Sequence, residues 1–157
     1  MSKKFKLDEI DIKILEILSN NARISNLDIS DKVGISPSPC LRRVKALEEK
    51  GVIKGFYTKL NEEFFDYTLT IFATISSNTS TQKEKKAFEI ALEKTKEILE
   101  IYALATDTDY LLKLIVKDES HYQQVLQTII GRIPNVAKIR TTKIAKVIKK
   151  HDNIDIN

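Results

Sequence analysis

The sequence predicts an α+β protein with an N-terminal winged helix-turn-helix and a C-terminal ferredoxin-like βαββαβ domain. Up to Gly51, apolar residues recur with a helical period in three stretches separated by short polar turns. After Gly51, β-branched and alternating stretches follow in the order strand, helix, strand, strand, helix, strand. We therefore divide the 157 residues into a helix-turn-helix domain (1–52), a strand or linker (53–66), a ferredoxin-like domain (67–150) and a tail (151–157).

The first two helices carry clear start and stop residues. Asp8 is a suitable N-cap for "EIDIKILEILSN", and Ser25, with Asp28 three residues on, is suitable for the second helix, which Gly34 ends. Only Gly34-Ile35-Ser36 precedes the third helix, and such a short turn with a glycine is typical of a helix-turn-helix. The predicted buried side chains are Ile10, Ile14, Ile17, Leu18, Leu27, Ile29 and Val33.

The third helix, "SPSPCLRRVKALEEKG", begins with two prolines. The first turn of a helix accepts proline because its N–H groups have no partner inside the helix. Ser36 is the natural N-cap, and Ser38 is an alternative because a residue before proline disfavours the α conformation. Cys40, Val44 and Leu47 form an apolar stripe with Leu41 at its edge. The opposite side carries Ser38, Arg42, Lys45, Ala46 and Glu49. Such a polar side is typical of an ordinary surface helix and is also compatible with a binding surface.

The second half predicts strands over 68–76, 98–106, 110–117 and 136–150, and "VIKGFYTKLN" before it resembles a strand or wing. Helices are predicted over 82–97 and from Asp118 or Ser120 to Ile133, with Ala87, Phe88, Ala91, Leu92 and Thr95 on one face of the first and Tyr122, Val125, Leu126, Ile129, Ile130 and Ile133 on one face of the second. Both helices would cover the same sheet face. The other face would expose alternate residues, such as Ile71, Ala73 or Ile144 depending on the register, so we expect self-association. A curled sheet in a monomer is the alternative.

Composition narrows the classes of function. The single cysteine excludes an intrachain disulfide and a multi-cysteine zinc site, and the charged start "MSKKFKLDEID" lacks a signal-peptide core, so we expect a cytoplasmic protein. The net charge is +4, and residues 1–60 hold 12 basic and 8 acidic residues, whereas residues 61–157 hold 14 of each. A polyanionic partner would therefore meet the helix-turn-helix end.

Three stretches together resemble one known family: "LDEIDIKILEILSNNARIS", "LDISDKVGISPSPCLRRVKALEEKGVIKGFYTKLN" and "TDYLLKLIVKDESHYQQVL". In this order they are similar to the Lrp/AsnC (leucine-responsive regulatory protein) transcriptional regulators. The resemblance implies a sequence-specific DNA-binding regulator whose C-terminal effector domains pair through their sheets into dimers. It also implies that dimers assemble into octamers and that a free amino acid binds between dimers, with no other cofactor.

The resemblance implies that the third helix is the recognition helix. Pro37 and Pro39 would fix its start in the major groove, and Arg42 is the first candidate for a base contact because arginine can bond guanine bidentately. Ser36, Ser38, Arg43 and Lys45 are candidates for phosphate contacts, helped by the helix N-terminus. Weaker candidates for phosphate contacts are Lys3, Lys4, Lys6, Arg23 and Lys54. Each of them could equally well be an ordinary solvent-exposed surface charge without a role in binding.

The same resemblance implies weaker candidates for effector binding: Thr106, Asp107, Asp109, Arg140 and Thr141. Thr106 stands where the family typically has a glycine that allows close backbone approach. Asn135 also replaces a common glycine. Asp109 could hold an amino group or only cap its own turn. A regulator that responds to no amino acid is therefore an alternative.

Two other classes of function, an enzyme and a DNA-organising protein, are alternatives for this sequence. A siroheme-decarboxylase-like enzyme would need basic and histidine residues around a porphyrin, but only His121 and His151 are present, and Cys40 lies on a core stripe with no base partner. The sequence also lacks a glycine-rich phosphate loop and a cluster with metal-ligand spacing, so we expect neither catalysis nor a metal. A chromatin-organising protein with little sequence preference would share every DNA-binding residue, and salt dependence and a specificity ratio would distinguish it.

Overall fold

The structure is a computed structural model that describes residues 6–106, 108–150 and 154. The described residues form two compact units, with residues 6–59 in the first and residues 60–148 in the second, and residues 149, 150 and 154 group with the first. Within this part of the chain, no helix is both long and apolar enough to cross a membrane.

The first unit is a three-helix bundle with α1 at Glu9–Asn20, α2 at Asn26–Val33 and α3 at Pro37–Glu49. Asp8 caps α1 and Ser25 caps α2, as predicted. Asp11 completes a capping box with Asp8 at the start of α1. The core is centred on Ile14, Cys40 and Leu47, none of which is solvent-exposed, with Leu18 and Ile29 beside them.

One leucine of this unit, Leu27, does not lie where we predicted, whereas Leu41 lies at the predicted edge of its apolar stripe. Leu27 is 58% exposed and Leu41 is 45% exposed. Successive helical residues are about 100° apart, so Leu27 lies on the opposite side of α2 from the buried Ile29. Leu41 is about 100° from the buried Cys40, which places it at the edge of the apolar stripe of α3, as predicted.

The ends of α3 are defined by backbone geometry. Ser36 is the N-cap, which decides between the two serines, and its side chain makes no capping hydrogen bond. At the other end Gly51 has φ +69°. The N–H of Gly51 donates to Glu48 O (2.9 Å) and that of Val52 to Leu47 O (2.9 Å), which is the Schellman pattern.

The segment after α3 has no strand over residues 52–60, so our prediction of a strand there was wrong. Gly55 has φ +155°, and this segment has no partner strand with which to form a ladder. A short 3₁₀ helix at Glu62–Phe65, which the sequence analysis missed, leads into the second unit.

The second unit has the predicted βαββαβ order: β1 (Leu69–Ser77), α4 (Gln82–Glu93), β2 (Ile98–Ala103), β3 (Asp109–Val116), α5 (Glu119–Arg132) and β4 (Val136–Lys143). The sheet order is β2-β3-β1-β4, and all pairs are antiparallel. Asp118, rather than Ser120, caps α5, and its side chain accepts a hydrogen bond from the His121 N–H.

Several elements are shorter than predicted. β4 ends at Lys143 rather than Lys150 because its partner β1 begins at Leu69, and the last bond joins the Ile144 N–H to Thr70 O (2.9 Å). Likewise α4 ends at Glu93 and β2 at Ala103. Ile130 and Ala87, which we placed on the buried helix faces, are exposed.

The two helices cover the sheet face that carries Ile71 and Ala73. Ile71 and Ala73 are 0% and 1% exposed and lie in one core with Phe88 and Leu92 of α4 and Val125 of α5. The pairing registers assign the other face, which we call the open face, to the alternate residues Thr70, Phe72, Thr74, Ser76, Glu100, Tyr102, Asp109, Leu111, Lys113, Ile115, Lys138, Arg140 and Thr142. The uncovered face was therefore predictable from the sequence, whereas Ile71 and Ala73, which the undetermined register allowed on that face, lie on the covered one.

Candidate nucleic-acid interface and ligand turn

The outer side of α3 carries free cations and hydroxyls. Ser36, Ser38, Arg42 and Lys45 are exposed, and Pro39 is half-buried. Within the described part of the chain, neither Arg42 nor Lys45 has an ion-pair partner. Their charges are therefore available to an external anion.

The two prolines change what the start of α3 can donate. Pro37 and Pro39 have no N–H, and the Cys40 N–H is bonded to Ser36 O at 3.2 Å. Ser38 is therefore the one residue among the first three helical positions with a backbone N–H to offer. Phosphate binding at this end would depend more on the hydroxyls of Ser36 and Ser38 than on the backbone donors that helix N-termini usually supply.

The start of α3 is held against α2 by a side-chain hydrogen bond. Asn26 Nδ2 donates to Pro37 O at 2.9 Å. Gly34, with φ +74°, makes the sharp turn between the two helices. The turn and the Asn26 bond together fix where the outer side of α3 begins.

Arg43 has a different environment from its neighbour Arg42. Its Nη1 is 2.7 Å from Asp8 Oδ2 and 2.7 Å from Asp11 Oδ1, so it links α3 to the capping box of α1. The Asp11 N–H and then the Arg43 guanidinium lower the pKa of Asp8, and the carboxylates of Asp11 and Asp8 raise the pKa of Arg43. We predicted a phosphate contact for Arg43, but this guanidinium is already paired within the unit.

The weaker phosphate candidates are dispersed. Lys6, Arg23 and Lys54 are exposed, and the Arg23 N–H donates to Asn21 Oδ1 at 3.0 Å. Lys3 and Lys4 lie outside the described residues. No hydrogen bond or ion pair of a described side chain ties Lys6, Arg23 or Lys54 to the outer side of α3.

The turn between β2 and β3 carries the first ligand candidates. Thr106 is exposed, and Asp109 is half-buried at the first position of β3. The Leu104 N–H donates to Asp109 O (2.9 Å), and the Ser77 N–H donates to Thr108 O (2.9 Å). Backbone hydrogen bonds therefore hold the turn where it leaves β2 and where it enters β3. Asp107 lies outside the described residues.

The two ligand candidates of β4 face opposite sides of the sheet. Arg140 pairs with Thr74 on the open face, the face that also carries Asp109. Thr141 lies on the helix-covered face, where its Oγ1 is 2.6 Å from the Tyr122 hydroxyl. The structure thus places Asp109 and Arg140 on one face, on the two strands that flank β1, and separates Thr141 from them.

Comparison with known proteins decides what these two units are. Residues 7–54 match the profile of a winged helix-turn-helix DNA-binding family, and residues 70–154 match the Lrp/AsnC ligand binding domain. The chain belongs to the Lrp/AsnC family of transcriptional regulators. This family is non-enzymatic, and its members have a DNA-binding helix-turn-helix and a ligand-binding domain and form oligomers.

Individual members of the Lrp/AsnC family match over nearly the whole chain. The leucine-responsive regulatory protein of Haemophilus influenzae is 42% identical over 92% of this chain and 87% of its own, and that of Escherichia coli K12 is 38% identical over 96% and 92%. A solved structure of a Neisseria meningitidis transcriptional regulator in complex with L-Met is 31% identical, with a TM-score of 0.88 over 97% of this chain and 98% of that chain.

Sequence reasoning missed some of the groups around both sites of this Lrp/AsnC protein. Lys113 and Lys138 lie on the open face, and Lys113 pairs with Glu100 at 2.6 Å. Strand alternation would have identified them only if the register of β1 had been known. Asn26 and the exposed Leu41 have no sequence motif of their own, since their positions depend on how α2 and α3 pack.

Proposed function

We propose that the outer side of α3 performs the sequence readout of this regulator. In this arrangement α3 lies in the major groove, Arg42 contacts a base edge, and Ser36, Ser38 and Lys45 contact phosphates. Pro37 and Pro39 fix where the helix starts. The observation that carries the proposal is that Arg42 and Lys45 are exposed and unpaired among the described residues, whereas Arg43 is paired with two carboxylates.

The proposal extends to regulation and assembly. We propose an amino-acid effector near the turn that contains Thr106 and Asp109, and the L-Met complex of the Neisseria relative supports this. Asp107 and the Arg140 side of β4 remain candidates, whereas the bond of Thr141 to Tyr122 gives Thr141 a structural role. We further propose that dimers of the chain assemble into larger oligomers, up to an octamer. We also propose that the protein is located in the cytoplasm, where it binds its DNA.

Selection of bound DNA from a random pool tests the proposal. The full chain is used for selection without ligand and then with each standard amino acid in turn. A defined, enriched site, bound at least about 10³-fold more tightly than random DNA at physiological salt, is the expected result for a specific regulator. An unenriched pool with a steep salt dependence would instead indicate a sequence-tolerant DNA-organising protein.

An effector would appear in the same experiment as a change in the affinity for the enriched site. An amino acid that binds the second unit should change the affinity of the protein for DNA. By thermodynamic linkage, DNA should change the affinity for that amino acid by the same factor. The absence of any shift with every amino acid would support a regulator that responds to none.

A further inference from the structure

Leu41 is a large apolar side chain on an otherwise polar, cationic surface. It is the fifth residue of α3 and is 45% exposed, whereas Cys40 and Leu47 of the same helix are fully buried. Residues three and four apart share a helix face, so Leu41 lies in one row with Ser38 and Lys45. Arg42, its sequence neighbour, is also exposed. Nearly half of the Leu41 surface therefore lies outside the buried core of the unit.

The surroundings of Leu41 favour a polyanionic partner with an apolar group at this point. Arg42 and Lys45 carry positive charge with no ion-pair partner among the described residues, and the sequence has no acidic residue within four positions of Leu41 on either side. In the major groove, the thymine C5-methyl is the apolar group that a base pair presents, and apolar side chains contact it. The N-terminal half of a recognition helix is the part that reaches base edges.

We propose that Leu41 contacts a thymine methyl group and so determines specificity at one A·T pair of the site. This inference rests on the proposed role of α3 as the recognition helix. Arg42 and Leu41 would then select adjacent positions by different chemistry, Arg42 by hydrogen bonding to a base edge and Leu41 by burying a methyl group.

Leu27 is the matched control for this proposal. It is the other exposed leucine among the described helices of the first unit, at 58%, but it lies on α2 with Asp28 beside it and Asp31 one turn away. Acidic neighbours would repel DNA phosphates. Leu27→Ala therefore removes a similar exposed side chain from a surface that we do not assign to DNA.

The test combines a protein substitution with removal of single methyl groups from DNA. The site comes from the random-pool selection with wild-type protein, and each dT in it is replaced in turn by dU, which lacks only the C5-methyl. For wild-type protein, one such replacement should weaken binding about fourfold, the equivalent of ~0.8 kcal/mol at 1.4 kcal/mol per tenfold. Leu41→Ala should weaken binding to the dT site by at least this factor.

The coupling between the two changes decides the outcome. For Leu41→Ala, the dU replacement at that one position should have no further effect, while Leu27→Ala should behave as wild type at every position. Equal dU penalties in wild type and Leu41→Ala at all positions would overturn the proposal, as would unchanged binding by Leu41→Ala. Both variants alter exposed side chains, and unchanged melting temperatures would confirm that they fold.

The same measurements distinguish a failure of the Leu41 inference from a failure of the proposed role of α3 as the recognition helix. If wild-type protein does not distinguish the selected site from random DNA, the proposed role of α3 fails. If wild-type protein distinguishes them and no thymine couples to Leu41, only the inference about Leu41 fails.

Discussion

At the scale of single residues, Arg42 and Arg43 show how one helical position changes the role of the same side chain. Arg42 is exposed and unpaired among the described residues, whereas Arg43 makes two 2.7 Å ion-pair contacts with Asp8 and Asp11. Asp11 is 5% exposed, so its carboxylate depends on that guanidinium and on the hydrogen bond that it accepts from the Asp8 N–H. We infer that Arg43 positions α3 against α1 and that Arg42 faces DNA.

Arg43→Ala should destabilise the first unit by about 1–3 kcal/mol because it leaves the buried Asp11 carboxylate short of a partner. Chemical denaturation measures this loss. Arg42→Ala is the control and should leave stability within about 0.5 kcal/mol of wild type. Equal stability of the two variants would contradict the assignment.

The salt dependence of DNA binding is a second measurement that distinguishes a phosphate contact, as proposed for Lys45, from the internal ion pair of Arg43. Lys45→Ala should reduce the slope of log K against log salt by about 0.9, the value for one phosphate contact. Arg43→Ala should leave the slope unchanged even if it lowers affinity. A slope that falls by one contact in Arg43→Ala would restore Arg43 as a phosphate ligand.

By the family resemblance, Thr106 stands where Lrp/AsnC regulators typically have a glycine in the turn before β3. If a ligand pocket forms there, the hydroxyl and methyl of Thr106 narrow it, so we expect a small or polar amino acid to bind, or none. Thr106→Gly should widen the range of amino acids accepted, and Thr106→Ser, which removes only the methyl, should give an intermediate range. A thermal-shift screen of the standard amino acids measures this, since ligand at a hundredfold its Kd adds about 2.7 kcal/mol. Wild-type protein that binds leucine as well as Thr106→Gly does would show that this residue does not limit the pocket.

At the scale of helices and strands, the carboxylates that cap helices make both units sensitive to acid. Hydrogen bonds from the Asp11 N–H, and then Arg43, lower the pKa of Asp8 below its ordinary 3.8. The Ser80 and Thr81 N–H groups lower the pKa of Glu84 below 4.5 in the capping box of α4. A carboxylate with a lowered folded pKa stabilises the fold above its ordinary pKa, and this contribution is lost as pH falls through the folded value.

The stabilising contributions of these carboxylates should therefore be complete above about pH 4.5 and be lost as pH falls, from below 4.5 for Glu84 and from below 3.8 for Asp8. Asp8→Asn keeps a good N-cap but removes the titrating group, so its melting temperature should decline less steeply with acid than that of wild type. Glu9→Gln, which removes the same charge outside the capping box, is the control. Parallel acid declines in wild type and Asp8→Asn would contradict this account.

The ends of helices and strands were predictable from the sequence where they depend on nearby residues, and not where they depend on contacts with distant ones. The starts of α1, α2 and α4 and the stop at Gly51 depend on residues a few positions apart, and they were predictable from the sequence. The end of β4 depends on where β1 begins, and no local pattern carries that information. The strand predicted over 52–60 failed for the same reason, because β-branched residues form a strand only with a partner.

At the scale of the whole molecule, the second unit presents an uncovered sheet face that mixes apolar and charged side chains. Phe72, Leu111 and Ile115 are half-buried there, and Tyr102 is 50% exposed. The alternation of the strands made an uncovered face predictable. Which residues lie on it required the packing of Phe88 and Val125 against Ile71 and Ala73, a contact between elements far apart in the sequence.

We expect the second unit to self-associate through this face. A truncated chain that begins at residue 61 should sediment as a dimer or larger species at micromolar concentration. Phe72→Lys, on the open face, should weaken the association by placing charges at the interface, whereas Thr81→Ser, at the N-cap of α4, is a control that should not. A monomeric truncated chain would contradict this assembly route and the proposed octamer.

The central claim, that the outer side of α3 confers sequence specificity through Arg42, is tested most directly by one comparison. The affinities of wild type and Arg42→Ala are measured on the selected site and on random DNA at the same salt concentration. A bidentate base contact predicts a loss of about 1–3 kcal/mol on the selected site and a much smaller loss on random DNA. An equal loss on both DNAs would show that Arg42 contacts only phosphate and would contradict the account.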